Sequence, residues 1–444
     1  GHISPAMIER ISSQFLTLLT QSIIQRSAKI GALPLLNNDE KECVLHDWNA
    51  TAIEYPRHLC MHELFELNAS KHPTATALIF ENQTLTYQEL NEKANQLAHY
   101  LLEVPIQTGA FIGLCMDRSI EMLVGLLAIF KAGAAYVPLD PGYPAPRLEY
   151  MLTDSAVNII LTSGALAAGL NKNRQYLTIC LDDVAVVEKV AHYPKQNIDK
   201  KVTHLLTDSL AYIIYTSGST GKPKGTLIRH SGLCNLALAQ IDMFAVKPDS
   251  KVLQFASISF DAAISECAMA FCAGATLVII KKDITQSAEK LNKIVKGTAI
   301  THVTLPPVLL PLMDIDDWQS VATLAVAGEA CSQIQADKWS LGRRFINAYG
   351  PTETTVCASM GLYVPGQSVL HIGKPMRNTQ LYVVNGYDQL QPIGVAGELL
   401  IGGAGLAVGY LNQPELSAEK FVYKDFPDIG VTRVYKTGDL VRWL

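Results

Sequence analysis

Between about residue 60 and residue 365, the sequence alternates helix-length amphipathic stretches with short apolar runs, and no other feature constrains the fold as much. Strands that alternate with helices usually pair in parallel, and the helices then cover both faces of the sheet. We therefore predict an α/β fold of two packed α/β subdomains with largely parallel, covered sheets. The strand candidates are residues 77–80, 111–114, 157–161, 209–215, 252–255, 276–280, 302–305 and 323–326.

Beyond about residue 365 the strand candidates lie close together, at 380–385, 397–401 and 434–437, with Gly and Pro between them. This spacing is typical of a small antiparallel or β-barrel-like unit. At the other end, residues 8–25 have the apolar spacing of an amphipathic helix, and the polar stretch 37–42 indicates a surface linker. The first five residues resemble a cloning remnant. The predicted organisation is remnant, helix and linker at 1–55, α/β subdomains at 56–205 and 206–362, and a β-barrel-like subdomain at 363–444.

Charge and cysteine content argue against several classes of function. The 444-residue chain has a formal net charge of −5, which gives no reason to expect a nucleic-acid partner. No apolar run reaches the ~18–20 residues of a membrane-spanning helix, so we expect no membrane partner. The nine cysteines include no CxxC pair. We therefore expect reduced thiols and a cytoplasmic location.

The strongest local motif is the segment 215–225, rich in Gly, Ser, Thr and Lys, which follows a strand candidate. Its glycines let the backbone approach a phosphate, and its hydroxyls and two lysines can donate to phosphate oxygens. It is not a Walker A loop, because Thr216 stands where that motif needs glycine and Pro223 follows the lysine. A mobile surface turn is the alternative for a generic loop of this composition. The candidate phosphate-binding residues are Thr216, Ser217, Gly218, Ser219, Thr220, Gly221 and Lys224.

Two further strings could complete a nucleotide site. In the string 347–353, Tyr349 can stack on a purine, while Thr352 and Glu353 can hold phosphate and Mg²⁺. In the string 435–439, Asp439 directly follows a strand candidate and could accept hydrogen bonds from both ribose hydroxyls. Taken alone, the first string is usually only a turn, and Asp439 is usually a solvated carboxylate in a β-turn.

The order and spacing of these strings resemble the adenylation domains of nonribosomal peptide synthetases, within the wider group of acyl-CoA synthetases and luciferases. The resemblance runs from about residue 45 to the end of the chain. Residues 48–49, 55–56 and 62–65 also resemble the linker from a preceding condensation domain. The seven strings that carry the resemblance are 85–90, 131–140, 215–225, 260–262, 347–353, 397–411 and 435–439.

Two departures from the family pattern matter. Val408 stands where many members have arginine, a change of little weight at a surface-type position. The chain ends at Leu444, about where the family's hinge begins, so we expect it to lack the small C-terminal subdomain with its catalytic lysine. A carrier-domain serine motif is also missing. We therefore expect this chain to bind substrates but to be catalytically weak.

The resemblance implies an amino acid as substrate and ATP with Mg²⁺ as cofactors. The amino-acid carboxylate would attack the α-phosphorus of ATP to form an aminoacyl-adenylate, by positioning and charge stabilisation. The implied partners are ATP and AMP, together with carrier and condensation domains of the same synthetase.

The family's nucleotide contacts carry over residue by residue. By resemblance, Tyr349 stacks on adenine, Asp439 binds ribose and the loop at 216–224 cradles the β- and γ-phosphates. Thr352 would bind the α-phosphate, and Glu353 would bind Mg²⁺. The other implied residues are catalytic Lys224 and nucleotide-binding Gly328, Glu329, Ala330, Asn347, Ala348 and Gly350.

Asp261 is the residue that would distinguish an amino acid from a plain carboxylic acid, because a buried carboxylate can pair with the substrate ammonium. The local alternative is a helix N-cap. Four alanines in the pocket leave room for a large side chain, which implies an aromatic amino acid, tyrosine before phenylalanine. Arginine is an outsider, suggested by the nearby Glu329. The implied pocket residues are Asp261, Ala262, Ser265, Thr304, Ala325, Ala327, Ala348, Val356 and Cys357.

Two other classes of function stay open. A binding-only module would suit a chain without the catalytic lysine. A fatty- or aryl-acid ligase of the same superfamily fits the ATP strings equally well, although Asp261 argues against it. A screen of amino acids with ATP and Mg²⁺ separates these classes, because a bound ligand stabilises the native state.

Overall fold

The computed structural model describes residues 5–104, 109–170, 176–218, 221–426 and 428–444. The strands are β1 (Thr76–Phe80), β2 (Gln83–Thr86), β3 (Phe111–Cys115), β4 (Ala135–Pro138), β5 (Ile159–Thr162), β6 (Leu177–Cys180), β7 (Leu210–Thr216), β8 (Lys224–Arg229), β9 (Lys251–Gln254), β10 (Thr276–Ile279), β11 (His302–Leu305), β12 (Thr323–Val326), β13 (Arg344–Tyr349), β14 (Ser359–Tyr363), β15 (Lys374–Pro375), β16 (Thr379–Val384), β17 (Gly397–Gly403), β18 (Phe421–Phe426) and β19 (Gly430–Val441). Every predicted strand is present, with its ends shifted.

The α-helices are α1 (Pro5–Ile24), α2 (Asn38–Glu42), α3 (Met61–Lys71), α4 (Tyr87–Glu103), α5 (Ile120–Lys131), α6 (Ala145–Asp154), α7 (Gly164–Ala167), α8 (Val184–Ala191), α9 (Lys200–Thr203), α10 (His230–Phe244), α11 (Asp261–Ala273), α12 (Lys282–Thr285), α13 (Ala288–Thr298), α14 (Gln333–Trp339) and α15 (Pro414–Lys420). Short 3₁₀ turns lie at Ile30–Ala32, Pro307–Leu312, Ile315–Trp318 and Thr352–Thr354, and a π-helical turn at Cys43–Asp47. No helix in the described ranges is both long enough and apolar enough to cross a membrane.

Two compact units make up the chain. The larger comprises Glu54–Gly373 and Ala407–Pro414, and the smaller comprises Gly1–Ile53, Lys374–Leu406 and Glu415–Leu444.

The larger unit contains two sheets. One has the strand order β6-β5-β3-β4-β7-β8, and the other, within this unit, β14-β13-β12-β11-β9-β10-β1-β2. Three neighbouring pairs are antiparallel, namely β1–β2, β7–β8 and β13–β14, and the remaining described pairs are parallel. The predicted α/β class with largely parallel sheets is therefore confirmed.

Membership of the two sheets does not follow chain order. The early strands β1 and β2 join the sheet of β9–β14, and β7 and β8 join the sheet of β3–β6. The predicted boundary between residues 205 and 206 therefore does not separate the sheets. The reason is that β1 pairs in parallel with β10, where fully buried Leu78 lies beside fully buried Leu277. Local periodicity shows that a strand is buried but not which strand lies beside it.

Helix ends in the larger unit follow their capping residues. At the start of α4, the Thr86 hydroxyl accepts from the Glu89 backbone N–H at 3.2 Å, and the Glu89 carboxylate accepts from the Thr86 N–H at 2.8 Å. Such a reciprocal capping box satisfies two N–H groups that have no partner inside the helix. Ser119 caps α5 by accepting from the Met122 N–H at 3.1 Å. Every residue of α5 is buried, which explains its continuous apolar sequence.

The smaller unit is built on an antiparallel sheet in the order β16-β17-β19-β18. Its core contains Leu45, Tyr382, Leu400, Phe426 and Val434. The N-terminal segment belongs to this core, since the Asn49 amide accepts from the Leu381 N–H at 2.8 Å and donates to the Leu381 carbonyl at 3.0 Å.

Two predictions for the N-terminal segment have different outcomes. The amphipathic helix is present as α1. The predicted linker at 37–42 is wrong, because Asn38–Glu42 forms α2. The Asn37 side chain accepts from the Glu40 N–H at 2.8 Å, and such a cap stabilises even a short helix. Residues 1–4 of the predicted cloning remnant lie outside the described residues.

Candidate functional site

The predicted phosphate loop joins two antiparallel strands, β7 and β8, with Thr216 paired to Lys224 at its base. Gly221 has a φ of 80°, a left-handed conformation that glycine adopts without strain, and its N–H donates to the Gly218 carbonyl at 3.0 Å. Ser217 is exposed, whereas Ser219 and Thr220 lie outside the described residues.

The Thr216 hydroxyl oxygen is buried at the base of this loop, and within the described ranges it has no hydrogen-bond partner. A buried hydroxyl without a partner costs free energy, so such groups usually face a water or a ligand oxygen. The base of the loop is therefore suited to a polar ligand such as phosphate.

Lys224, the last candidate of the loop, contacts a carboxylate and a phenol. Its ammonium lies 2.6 Å from Oε1 of Glu353 and 2.8 Å from the hydroxyl of Tyr410, and that hydroxyl donates to the same Oε1 at 2.7 Å. Burial alone would raise the pKa of Glu353, but the charge of Lys224 and the two hydrogen bonds outweigh it and leave this pKa below its ordinary value. The carboxylate is therefore ionised at neutral pH.

Tyr410 was not among the predicted site residues. It reaches the site because the segment 407–411 pairs with β8, where the Val408 N–H donates to Leu227 at 2.9 Å and the Leu411 N–H donates to Gly225 at 2.8 Å. The string 397–411 contained this tyrosine, but its pattern gave no sign that the hydroxyl reaches a carboxylate.

The string 347–353 forms the end of β13 and the 3₁₀ turn at Thr352–Thr354. A Cβ atom at Gly350 would lie 2.5 Å from the Cα of Cys357, so only glycine fits there. Thr355 and Val356 follow with φ values of 61° and 66°. Left-handed backbone is strained for β-branched residues, and such strain often marks functional sites. The turn directs Val356 and Cys357 toward the cavity described below.

Asp261 is the first residue of α11. The N-cap of this helix is Phe260, so the alternative interpretation of Asp261 as an N-cap is wrong. Burial raises the pKa of Asp261 to about 6, against a lowering effect of its hydrogen bond with the Thr352 side chain. The charge of Glu353 adds to the rise. A cationic ligand group is what such a carboxylate lacks.

A cavity of about 830 Å³ lies beside Asp261. Its wall includes the ends of β11, β12 and β13, consistent with the rule that ligands bind at the carboxyl ends of parallel strands. Eight of the nine predicted pocket residues contribute to it, namely Asp261, Ala262, Ser265, Thr304, Ala327, Ala348, Val356 and Cys357. The ninth, Ala325, is fully buried on β12 and lies outside the cavity wall.

Cys357 in this wall is a buried thiol without nucleophilic character. It donates to the carbonyls of Tyr349 at 3.5 Å and Ser359 at 3.3 Å. Burial raises its pKa to about 12, so the reactive thiolate is scarce at neutral pH.

The remaining nucleotide candidates lie in different places. Gly328 and Glu329 are exposed after β12 and line the cavity, and Ala330 follows them outside its wall. Asn347 is buried on β13 and donates to the His371 carbonyl at 3.1 Å.

Asp439 belongs to the smaller unit. It lies inside β19, not after a strand as predicted, because Gly438 takes a left-handed φ of 78° and the strand continues through a register shift opposite Glu398–Leu400. The ribose role of Asp439 stays a prediction.

A buried polar cluster on the cavity wall was missed by sequence reasoning. Arg118 donates to the Gln254 carbonyl at 2.9 Å, and the Glu266 carboxylate accepts from the N–H groups of Phe255 at 3.0 Å and Ala256 at 3.2 Å. Burial raises the pKa of Glu266 to about 8, against the lowering effect of these amides and Arg118. The predicted uncharged lining therefore holds for the nine residues but not for the whole cavity. The missed signal was a single glutamate in the apolar sequence of α11.

The residues around Glu353 fit a magnesium ion that arrives with phosphate. Among the residues that the structure describes, no three His, Cys, Asp or Glu side chains are grouped to hold a metal. Mg²⁺ is commonly bound by one or two carboxylates together with substrate phosphates and water. Glu353 supplies one such carboxylate, and the ammonium of Lys224 shows that a cation fits beside it.

The model of a family described as AMP-binding enzyme matches residues 65–411. A linear gramicidin synthase of Brevibacillus parabrevis is 43% identical over 438 residues, which cover 99% of this chain and 8% of that protein. Bacitracin synthase 3 of Bacillus licheniformis is 41% identical over 446 residues, which cover 98% of this chain and 7% of that protein. The chain thus spans less than a tenth of the length of these relatives.

A solved structure has the same fold along almost the whole chain. The crystal structure of the nonribosomal peptide synthetase FmoA3 in its α-methyl-L-serine-AMP-bound form matches with a TM-score of 0.88 and 26% identity. The match covers 99% of this chain and 50% of that chain.

Proposed function

The chain belongs to the AMP-binding enzyme family, and from this premise we propose that it is the amino-acid-activating core of a nonribosomal peptide synthetase. The amino-acid carboxylate attacks the α-phosphorus of ATP, the bond from that phosphorus to the bridging oxygen breaks, and aminoacyl-adenylate and pyrophosphate form. The observation that carries the proposal is the position of Asp261, whose carboxylate lies on the cavity wall and hydrogen-bonds to Thr352.

Asp261 supports an amino acid over a plain carboxylic acid. Its carboxylate is buried and close to the negative charge of Glu353, so ionisation is disfavoured until a cation arrives. The α-ammonium group of an amino acid supplies that cation and donates hydrogen bonds to the carboxylate. A fatty or aryl acid would leave the carboxylate unpaired, and an unpaired buried charge is costly.

On the nucleotide side, the residues of this chain would bind and orient ATP. The loop from Thr216 to Lys224 would hold the β- and γ-phosphates, and Thr352 would donate to the α-phosphate. Tyr349 would stack on adenine. Glu353 would hold Mg²⁺, which when bound neutralises phosphate charge.

Tyrosine is the first proposed substrate and phenylalanine the second. The cavity volume of about 830 Å³ falls within the ~300–1,000 Å³ of small-molecule sites, and the walls formed by Ala262, Ala327 and Ala348 leave room for an aromatic ring. Ser265 and Thr304 offer hydroxyls in the same cavity. Arginine is a weaker candidate, supported by Glu329 on the cavity wall.

The partners proposed for the whole protein follow from its relatives. Both peptide synthases are far longer than this chain, so we propose carrier and condensation domains of one synthetase as partners. The nine cysteines are all free, which supports a reducing compartment such as the cytoplasm.

A thermal-shift screen of the twenty amino acids with ATP and Mg²⁺ tests the proposal. Saturation to ~100 times Kd stabilises a protein by about 2.7 kcal/mol, so tyrosine should raise the melting temperature clearly. Exchange of labelled pyrophosphate into ATP in the presence of tyrosine then tests the chemical step. Exchange supported by an aryl or fatty acid instead would assign the chain to another class of ligase, and binding without exchange would favour a binding-only module.

A further inference from the structure

Three polar groups meet at a single oxygen atom in the described nucleotide site. Oε1 of Glu353 lies 2.6 Å from the Lys224 ammonium and 2.7 Å from the Tyr410 hydroxyl, and these two donors are 2.8 Å apart. The exposed fraction is 6% for the Glu353 side chain and 17% for the Lys224 side chain, so water replaces these contacts poorly.

The proposed function requires Lys224 to leave this arrangement. A phosphate attracts the ammonium away from Glu353, and the carboxylate then loses its charge partner and one of the two donors on Oε1. A buried carboxylate with too few donors is costly and free to change rotamer. Tyr410 is the remaining donor, because its hydroxyl reaches Oε1 without passing through Lys224.

The backbone around Tyr410 makes it a fixed donor. The Ala407 N–H donates to the Glu353 carbonyl at 2.9 Å, and Tyr410 itself pairs with Thr226 of β8. The segment that carries the hydroxyl is therefore bonded both to the residue it would hold and to the strand that begins at Lys224.

From this geometry we propose that Tyr410 is a positioning residue for Glu353. Its hydroxyl holds the carboxylate in place while Lys224 moves to the phosphates, so that Glu353 is oriented for Mg²⁺ when Mg·ATP binds. This inference rests on the proposed function, and it adds a role for a residue that touches neither the amino acid nor the reacting atoms.

The Tyr410→Phe variant separates the hydroxyl from the ring. The Lys224 ammonium lies 4.3 Å from the centre of the Tyr410 ring, a cation–π contact that phenylalanine keeps. Binding of α,β-methylene-ATP is measured by calorimetry across a Mg²⁺ titration. We expect the Mg²⁺ concentration at half-maximal binding to rise about tenfold, with tyrosine affinity unchanged, because a hydrogen bond to a charged group is worth roughly a factor of ten or more.

Two controls distinguish positioning from a general structural role. Tyr363→Phe removes another phenol–carboxylate hydrogen bond, to Asp337, and should leave the Mg²⁺ midpoint unchanged. In a Glu353→Gln background, Tyr410→Phe should cause no further shift, because the proposed action passes only through the charged carboxylate. Melting temperatures without ligand report on folding.

A Mg²⁺ midpoint within twofold of wild type in a folded Tyr410→Phe protein overturns the inference, as does an equal shift in the Glu353→Gln background. If Tyr410→Phe does not fold, 3-fluorotyrosine at position 410 reports on the hydroxyl in the intact site. Its ¹⁹F resonance should move when Mg·ATP draws Lys224 away, and an unmoved resonance contradicts the exchange. Absence of Mg·ATP binding by the wild type would instead overturn the proposed function, and this inference with it.

Discussion

The side chain of Thr352 hydrogen-bonds to the carboxylate of Asp261. Asp261 begins α11 and Thr352 begins the 3₁₀ turn after β13, so the contact joins two separate elements. In the proposed function, Asp261 faces the amino-acid ammonium and Thr352 faces the α-phosphate. A hydroxyl has one proton to donate, so Thr352 cannot donate to the carboxylate and to a phosphate together.

We expect this contact to make amino acid and nucleotide bind cooperatively. An ammonium that occupies Asp261 frees the Thr352 hydroxyl for the phosphate, so tyrosine should raise the affinity for α,β-methylene-ATP by about tenfold, a typical coupling of ~1–3 kcal/mol. Thr352→Val should abolish the enhancement, and Thr352→Ser should keep it. Calorimetry with and without tyrosine measures it, and equal enhancement in the valine variant would contradict the coupling.

The Asp261→Asn variant tests the recognition of the ammonium group. Removing one partner of a buried, hydrogen-bonded charge pair costs ~2–5 kcal/mol, so tyrosine affinity should fall by at least thirtyfold, roughly, while metal-bound ATP affinity stays nearly intact. Asp117→Asn is the matched control, because Asp117 lines the same cavity but is exposed. Calorimetry that finds unchanged tyrosine affinity in Asp261→Asn would refute the role of Asp261.

Amino-acid binding should weaken in mild acid. Burial raises the pKa of Asp261 to about 6, so below that pH the unliganded site holds a proton that competes with the ammonium. Tyrosine affinity should be constant above about pH 7 and fall by up to about tenfold per pH unit below pH 6. Dissociation constants measured from pH 5 to 8 check this, with Asp261→Asn as a control that should show a flat profile. A flat wild-type profile would mean that ionised Asp261 is not needed.

Substrate preference follows from the shape of the cavity. We expect tyrosine to bind most tightly, phenylalanine more weakly, and valine and glutamate hardly at all. A small side chain leaves the alanine-lined walls unfilled, and an acidic one meets Glu329 and Glu266 on the cavity wall. Equilibrium dialysis with the four amino acids, in the presence of ATP and Mg²⁺, measures the order. Preference for valine or glutamate would show that the pocket is assigned wrongly.

The ion pair between Lys224 and Glu353 should also be visible in stability. Breaking a buried pair by removing one partner costs ~3–5 kcal/mol, and we expect about 3 for Lys224→Met, because the lysine side chain is 17% exposed. The double variant Lys224→Met/Glu353→Gln should be more stable than Lys224→Met, since no charge is then left unpaired. Denaturant midpoints measure this, and Lys296→Met, at an exposed pair with Asp317, should change them little. A double variant no more stable than Lys224→Met would show that the pair is not coupled.

The sequence alone determined the local elements and the chemistry of single segments. Alternating apolar runs located the strands before residue 365, and the loop rich in glycine and lysine does lie between β7 and β8. The polar stretch at 37–42 was misjudged because a single Asn37 cap was enough to make it helical. These features are predictable because burial leaves a periodic pattern in neighbouring residues, and a loop carries its own donors.

Only the tertiary structure decided which of these segments meet. Lys224 lies 129 residues from Glu353 and 186 residues from Tyr410, and Arg118 lies 136 residues from Gln254. No local pattern encodes such contacts, because the entropy of closing a loop grows only slowly with its length. The choice among distant partners depends instead on which buried faces pack together. For this reason the predicted pocket and phosphate loop could be located from their own residues, whereas Tyr410 became part of the site only in the folded chain.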